Sequence, residues 1–230
     1  MTTETTKDVG YAIDVALCVD KTGANIPIWI MLEQNAERMY EKLSEACHCN
    51  GRRIDSFRVR IFAFGDYAVD LCPMIISRYF KFPEEIKEFV EFCFNVEVFG
   101  GGDVPENALE SLAHAIKSGW TDEGTVRRHV IMLFTDAPAV ELGERPDFSI
   151  DDEPMDMPKD LSELGEWWKE LDRESKRLLI FAPEDYPWPE IAATWDQVEW
   201  TSVYEGQAFQ DFDFDKAIAA LSKAVCQAGE

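Results

Sequence analysis

LCVDKTGAN, residues 17–25, runs an apolar stretch into an aspartate, with a threonine, a glycine and an asparagine close behind. The stretch begins at Tyr11. YAIDVALCV (11–19) has the length and β-branched content of a strand buried on both faces. Beyond the turn, Leu32, Ala36, Met39, Leu43 and Ala46 recur at three- and four-residue intervals, one face of an amphipathic helix that Asn50-Gly51 stops. A buried strand that delivers a polar turn into a helix is the opening unit of an α/β chain.

The unit repeats. Phe57, Val59, Ile61 and Ala63 alternate with Arg58 and Arg60 as in a strand, and Gly65-Asp66 turns the chain into a short extended piece around Val69–Ile76. Pro83 is expected to open a helix carrying Ile86, Phe89, Val90 and Cys93. FGGGDVPENALESLAHAI (99–116) is a glycine loop followed by a helix. That helix is expected to start at Asp103-Val104-Pro105-Glu106 and to bury Leu109, Leu112, Ala113 and Ile116. HVIMLFTDAP (129–138) is a continuous apolar run ending in Asp136. Leu161, Leu164, Trp168 and Leu171 mark another helix and RLLIFAP (177–183) another buried strand. A short helix at Pro189–Trp195, a strand at Val198–Tyr204 and a helix lined by Phe214, Ala217, Ile218, Leu221 and Val225 complete the series. The alternation predicts one α/β domain over 10–230, a parallel sheet with helices on both faces, after a flexible tail at 1–9. An acidic, proline-rich insertion at about 139–160, including SIDDEPMDMPKD, has the length of a functional loop more than of a connector.

Composition excludes several classes. A chain of 230 residues that is 46% hydrophobic, with 15 Phe and 7 Trp, buries a substantial core. Its net charge of −23 argues against a nucleic-acid backbone or an anionic membrane as partner. MTTETTKDVG is polar, with no apolar leader, so the expected compartment is the cytoplasm and the six cysteines are expected to be reduced. Cys47-His48-Cys49 lacks a second ligand pair at zinc spacing. The triple glycine lacks the Lys-Ser/Thr of a phosphate loop. His114 and His129 read as structural or exposed, and EDYPWPEIAATW (184–195) as packing.

In a parallel sheet, ligands bind beyond the carboxyl ends of the strands. Asp20 and Thr22 follow the first strand, Asp136 follows the strand before it, and Asp103 opens the helix between. Three carboxylates and a hydroxyl are hard oxygen donors suited to magnesium or another hard divalent cation. Each has a local alternative: an Asx-turn at Asp20 or Asp136, and an Asp-x-x-Glu capping box at Asp103 and Glu106.

The ordered set of Asp-x-Thr-Gly after a hydrophobic strand, FGDY (64–67), GGGDVPE and hydrophobic-Thr-Asp-Ala-Pro resembles the von Willebrand factor type A (VWA) domain, over essentially the whole chain. It is most similar to the bacterial cytosolic, alpha-kinase-associated branch with a GGGDxPE motif. The resemblance implies a doubly wound, mostly parallel six-stranded sheet with one short antiparallel edge strand, here Val69–Ile76. It also implies a metal-ion-dependent adhesion site built on Asp-x-Ser-x-Ser, a distant threonine and a distant aspartate. By position, Asp20 and Thr22 are the first two ligands and Asp136 is the distant aspartate, while Asp103 falls where the threonine would lie. Ala24 stands at the last serine and carries no side-chain oxygen, so that ligand is lost unless water or Asn25 replaces it. Asn25, one residue late, is expected to cap the helix that begins at Ile26-Pro27.

The function so implied is a non-catalytic protein-interaction module that docks a protein partner at the Asp20/Thr22/Asp103/Asp136 edge through a divalent cation, magnesium before manganese or calcium. One alternative is a degenerate scaffold that binds its partner without metal. Another is a metal-dependent phosphohydrolase with Asp20 as nucleophile, although Thr22 occupies the place where such an enzyme would need a second aspartate.

Overall fold

The computed structural model describes residues 9–67, 70–99, 105–143, 157–204, 209 and 212–226. In chain order its elements are β1 (Val9–Asp20), α1 (Ile26–Cys49), β2 (Arg52–Phe64), β3 (Met74–Ile76), β4 (Phe80–Lys81), α2 (Ile86–Asn95) and α3 (Ala108–Ile116). There follow β5 (Val126–Phe134), α4 (Leu161–Glu170), β6 (Lys176–Ala182), α5 (Trp188–Thr194), β7 (Val198–Ser202) and α6 (Phe214–Cys226). Every β1 residue after Val9 is buried, because β1 lies between β2 and β5 and is parallel to both.

The strand order is β3-β2-β1-β5-β6-β7, with β4 also on the edge of β2. The strands from β2 to β7 along this path are parallel, and β3 and β4 run antiparallel to β2. The doubly wound α/β class therefore holds, with seven strands among the described residues instead of six. The extra one, β4, is two residues long and held by the pairs Arg58↔Lys81 and Val59↔Phe80, too short to leave a period in the sequence.

Because side chains alternate across a strand, β1 and β5 feed two cores. Ile13, Val15, Leu17 and Val19 join Val130, Met132 and Phe134 under α1, α2 and α6. Ala16 and Cys18 join Ile131 and Leu133 under α3, α4 and α5. The α1 face follows the predicted one over Leu32, Ala36, Met39 and Leu43, which are buried, while Ala46 is half-buried and Ile28, Trp29 and Cys47 extend the stripe. The 184–195 segment packs as expected. Trp188 is buried and donates to the Ala137 carbonyl at 3.2 Å, while Trp195 stacks on Trp168.

Several boundaries differ from expectation. α3 begins at Ala108 instead of 103–106, because Glu106 pairs in a parallel bridge with Ala139. The Glu106 amide donates to the Pro138 carbonyl at 3.0 Å, and the Val140 amide to the Glu106 carbonyl at 2.9 Å. Backbone groups committed to that bridge are not available for a helical turn. α2 likewise starts at Ile86, after the Pro83 turn, and the last strand stops at Ser202. Val9, assigned to the tail, already belongs to β1. The rest of the tail, and residues 144–156 of the insertion, lie outside the described residues.

From β1 the chain winds through α1 to β2 on one side, and later through α3 to β5 on the other. The winding direction thus reverses between β1 and β5, and the crevice beyond their carboxyl ends is the topological switch point of the sheet.

Candidate functional site

β1 ends at Asp20 and β5 at Phe134, so the turn after each strand opens on that crevice. Asp20, Thr22, Asn25, Thr135 and Asp136 meet there, each buried. Asp20 is fixed by three donors. Its Oδ1 accepts from the Thr22 amide at 2.9 Å and the Thr22 hydroxyl at 2.7 Å, and its Oδ2 accepts from the Thr135 hydroxyl at 2.9 Å. The Asp20 carbonyl accepts from Trp29 Nε1 at 2.9 Å, which ties the end of β1 to α1. The Asx-turn expected as a bland alternative at Asp20 is present, as the bond from the Thr22 amide. It coexists with the long-range contact to Thr135.

Burial is the largest influence on Asp20 and raises its carboxyl to about 6. The hydrogen bonds from Thr22 and Thr135 oppose the rise, and the nearby Asp136 adds to it. Two carboxylates in one buried crevice call for compensating positive charge or donors. Asn25 supplies part of it: its Nδ2 donates to Asp136 Oδ1 at 2.8 Å and to Thr22 Oγ1 at 3.1 Å. This corrects the expected helix cap. Asn25 does sit at the N-cap of α1, after the tight turn Gly23–Asn25, but its side chain makes no capping bond and reaches across to the β5 end.

Three of the four residues expected as ligands, Asp20, Thr22 and Asp136, are therefore brought together. Asp103 lies outside the described residues. Thr135 was not among the expected site residues, and Asn25 entered only as one possible replacement for the oxygen missing at Ala24. A lone hydroxyl at the end of the apolar run 129–134, directly before Asp136, was the signal for Thr135. Lys21 points away from this cluster. It is buried beside Asp70 at 3.3 Å, and its Nζ lies 5.5 Å from the centre of the Phe99 ring. A Cβ at Gly65 would meet Asp70 Oδ2 at 2.0 Å, so a larger residue there would have to displace the Asp70 carboxylate.

Among the described residues no group of three or more His, Cys, Asp or Glu gathers as a metal cluster. The donor set at the crevice instead mixes two carboxylates with neutral oxygens, which suits a hard cation. One buried oxygen in it, Asn25 Oδ1, has no hydrogen-bond partner among the described residues. The residues present fit a divalent cation on one condition: the Asn25 amide nitrogen, which now lies between Thr22 and Asp136, must give way.

No family profile matches the chain, and no curated protein does. Among solved structures it is similar to the pilus adhesin SpaC of Lactobacillus rhamnosus GG. The TM-score is 0.55 over 94% of this chain at 12% identity, and the same in an open conformation of that adhesin at 11% identity. It is also similar to proximal thread matrix protein 1 of the mussel byssus, with a TM-score of 0.48 at 13% identity over 96% of this chain and 48% of that one. The chain spans 31% and 30% of the two adhesin structures, and at such identities the likeness is one of fold. Among the described residues no helix is long and apolar enough to cross a membrane.

Proposed function

We propose that this protein is a non-catalytic docking module of the VWA type, which binds a protein partner at the carboxyl edge of its sheet through a variant metal-ion-dependent adhesion site. The observation that carries the reading is the meeting of Asp20 and Thr22 with Thr135 and Asp136 at the switch point of the sheet. Asp20, Thr22 and Asp136 would hold a magnesium-class cation, manganese and calcium being the alternatives, with Asp103 as a further ligand by sequence position. When bound, such an ion supplies a Lewis-acidic contact for an oxygen of the partner. With Asp103 included, three carboxylates around a divalent ion leave a formal charge of about −1, which favours a neutral or basic partner over an acidic one. The chain's own net charge of −23 disfavours nucleic acid and anionic membranes as partners, and the cytoplasm is the compartment proposed for it.

The non-catalytic half of the reading is supported by the state of Asp20. Both its oxygens accept hydrogen bonds and it is 0% exposed, a poor position for an attacking nucleophile. A second reading, a scaffold that binds its partner without metal, is favoured by Asn25, whose amide already bridges the two halves of the site.

Thermal unfolding with and without millimolar magnesium, manganese or calcium tests the proposal, on the native chain and on an Asp20→Ala/Asp136→Ala double variant. A cation at about a hundred times its Kd adds about 2.7 kcal/mol, which for a chain of this size is a rise in Tm of about 5–10 °C. A rise in the native chain that the double variant loses supports the metal site. No rise with any of the three ions leaves the metal-free scaffold. A magnesium-dependent, tight calorimetric titration with an acidic peptide would contradict the charge argument.

A further inference from the structure

Asn25 is 0% exposed, and the two ends of its amide are treated unequally. Nδ2 uses both its hydrogens, one on Thr22 Oγ1 and one on Asp136 Oδ1. Oδ1 has no partner among the described residues. The Thr22 hydroxyl gives its only hydrogen to Asp20, so towards Asn25 it is an acceptor. Two acceptors, one of them on a carboxylate, thus face a single NH2 group. With the amide reversed, Oδ1 would meet a lone pair and a carboxylate oxygen, which is repulsive. Without a cation the nitrogen must face inward, and the buried carbonyl at the other end is left without a partner among the described residues.

A divalent cation between Thr22 and Asp136 inverts this preference, because it takes oxygen and excludes N–H. Resting on the docking reading above, we infer that Asn25 is the ligand that replaces the oxygen missing at Ala24, and that it does so by a half-turn of its amide. Nδ2 faces inward without the ion and Oδ1 faces inward with it. The half-turn exchanges one unpartnered amide atom for another at the outer end, so the cation at the inner end decides the orientation. The offset of one residue from Ala24 is absorbed by the Gly23–Asn25 turn, in which the Asn25 amide donates to the Thr22 carbonyl at 2.8 Å and folds position 25 back towards the site. Rotation about the terminal side-chain torsion is sufficient, and that torsion is broad and two-fold in asparagine.

The test uses the full chain, with magnesium alone as the probe. Calorimetry measures the affinity of the native chain, Asn25→Ala and Asn25→Asp. Nitrogen-15 NMR follows the Asn25 side-chain NH2 pair of the native chain through the same titration. The expected results are an NH2 pair protected from solvent exchange without magnesium and shifted with it, a loss of about tenfold or more in affinity for Asn25→Ala, and binding at least as tight as native for Asn25→Asp. Asn25→Ala binding as tightly as native, or more tightly, overturns the inference and makes the amide a plug. So does an NH2 pair that does not move at saturation, a reading that needs no variant to fold. If Asn25→Asp binds and the native chain does not, the cation's seat exists and only the half-turn is wrong. If neither binds, the metal site of the docking reading falls together with the half-turn.

Discussion

Thr135→Val tests whether Asp20 is held as an ionised, hydrogen-bonded carboxylate. Valine matches threonine in shape, so no cavity opens, and only the hydroxyl is lost. That hydroxyl donates to Asp20 Oδ2 at 2.9 Å and accepts from the Ala137 amide at 3.2 Å, in a position that is 0% exposed. A hydrogen bond to a charged acceptor is worth about 1.5–3 kcal/mol, and a buried amide left without a partner costs about 1–3 kcal/mol. Asp20 keeps its two Thr22 donors, so the terms do not add in full. A loss of about 3 kcal/mol is expected, and at about 2–4 °C per kcal/mol for a chain of this size, a fall in Tm of about 6–12 °C. Thr135→Ser, which keeps the hydroxyl, should stay much closer to the native chain.

The loss also has a pH signature. The Asp20 carboxyl is raised to about 6, first by burial, and the Thr135 hydrogen bond opposes that rise. A carboxyl raised on folding contributes stability that is fully present below its ordinary value and lost as pH rises through the folded value. Removing the Thr135 donor raises the folded value further, so the variant suffers more at about pH 7, where Asp20 is mostly ionised, than at about pH 5, where it is mostly protonated. Urea unfolding followed by circular dichroism at the two pH values measures both effects. A loss below about 1 kcal/mol at neutral pH, or an equal loss at both pH values, would refute the hydrogen-bond lock on Asp20.

Two further expectations concern the polar group in the middle of β1. Arg58 donates to the buried Asp14 from Nε at 2.7 Å and from a terminal nitrogen at 2.6 Å, so Arg58→Met strands a carboxylate that keeps, among the described residues, the Thr121 amide as its donor. Because Arg58 is 23% exposed, the cost should lie near the lower end for a broken buried pair, about 3 kcal/mol by chemical denaturation. Most of it should return in Arg58→Met/Asp14→Val, and a single variant as stable as native would count against the pair. His129, beside Asp14 in the register, stacks on Trp120, and burial holds its imidazole below the ordinary value. The unfolded chain therefore binds the proton more readily, and stability should fall as pH drops through the ordinary histidine value towards the lower folded one, and stay flat above it. His129→Gln, which can still donate to the Thr121 carbonyl, should flatten that limb in pH-dependent urea unfolding, and an unchanged limb would assign it to other groups.

The parts of the fold that were legible in the sequence share one physical cause. β1 and β5 sit in the middle of the sheet and bury both faces, and α1 buries one stripe, so burial writes itself into the sequence as an uninterrupted run or a three-to-four period. Where burial is brief the signal fails: β4 buries Phe80 and leaves Lys81 exposed. The expected helix start around Asp103 failed for another reason. The capping pattern is present in the sequence, but the backbone of Glu106 is held in an isolated bridge with Ala139, 33 positions away in sequence. The same competition runs through the candidate site. Thr22 announces itself because its partner Asp20 is two residues away. The contacts of Asn25 with Asp136 and of Thr135 with Asp20 do not, because those partners lie 111 and 115 positions away, and only the adjacency of β1 and β5 brings them into reach. Asp14 hides in an apolar run for the same reason: the register that places Arg58 opposite it is a property of strand pairing. A local motif can thus name residues that carry oxygen. Which oxygens are already occupied, and which one is left without a partner, is decided by the parallel pairing of β1 with β5, so the test of this site rests on Asn25 and Thr135 as much as on the aspartates.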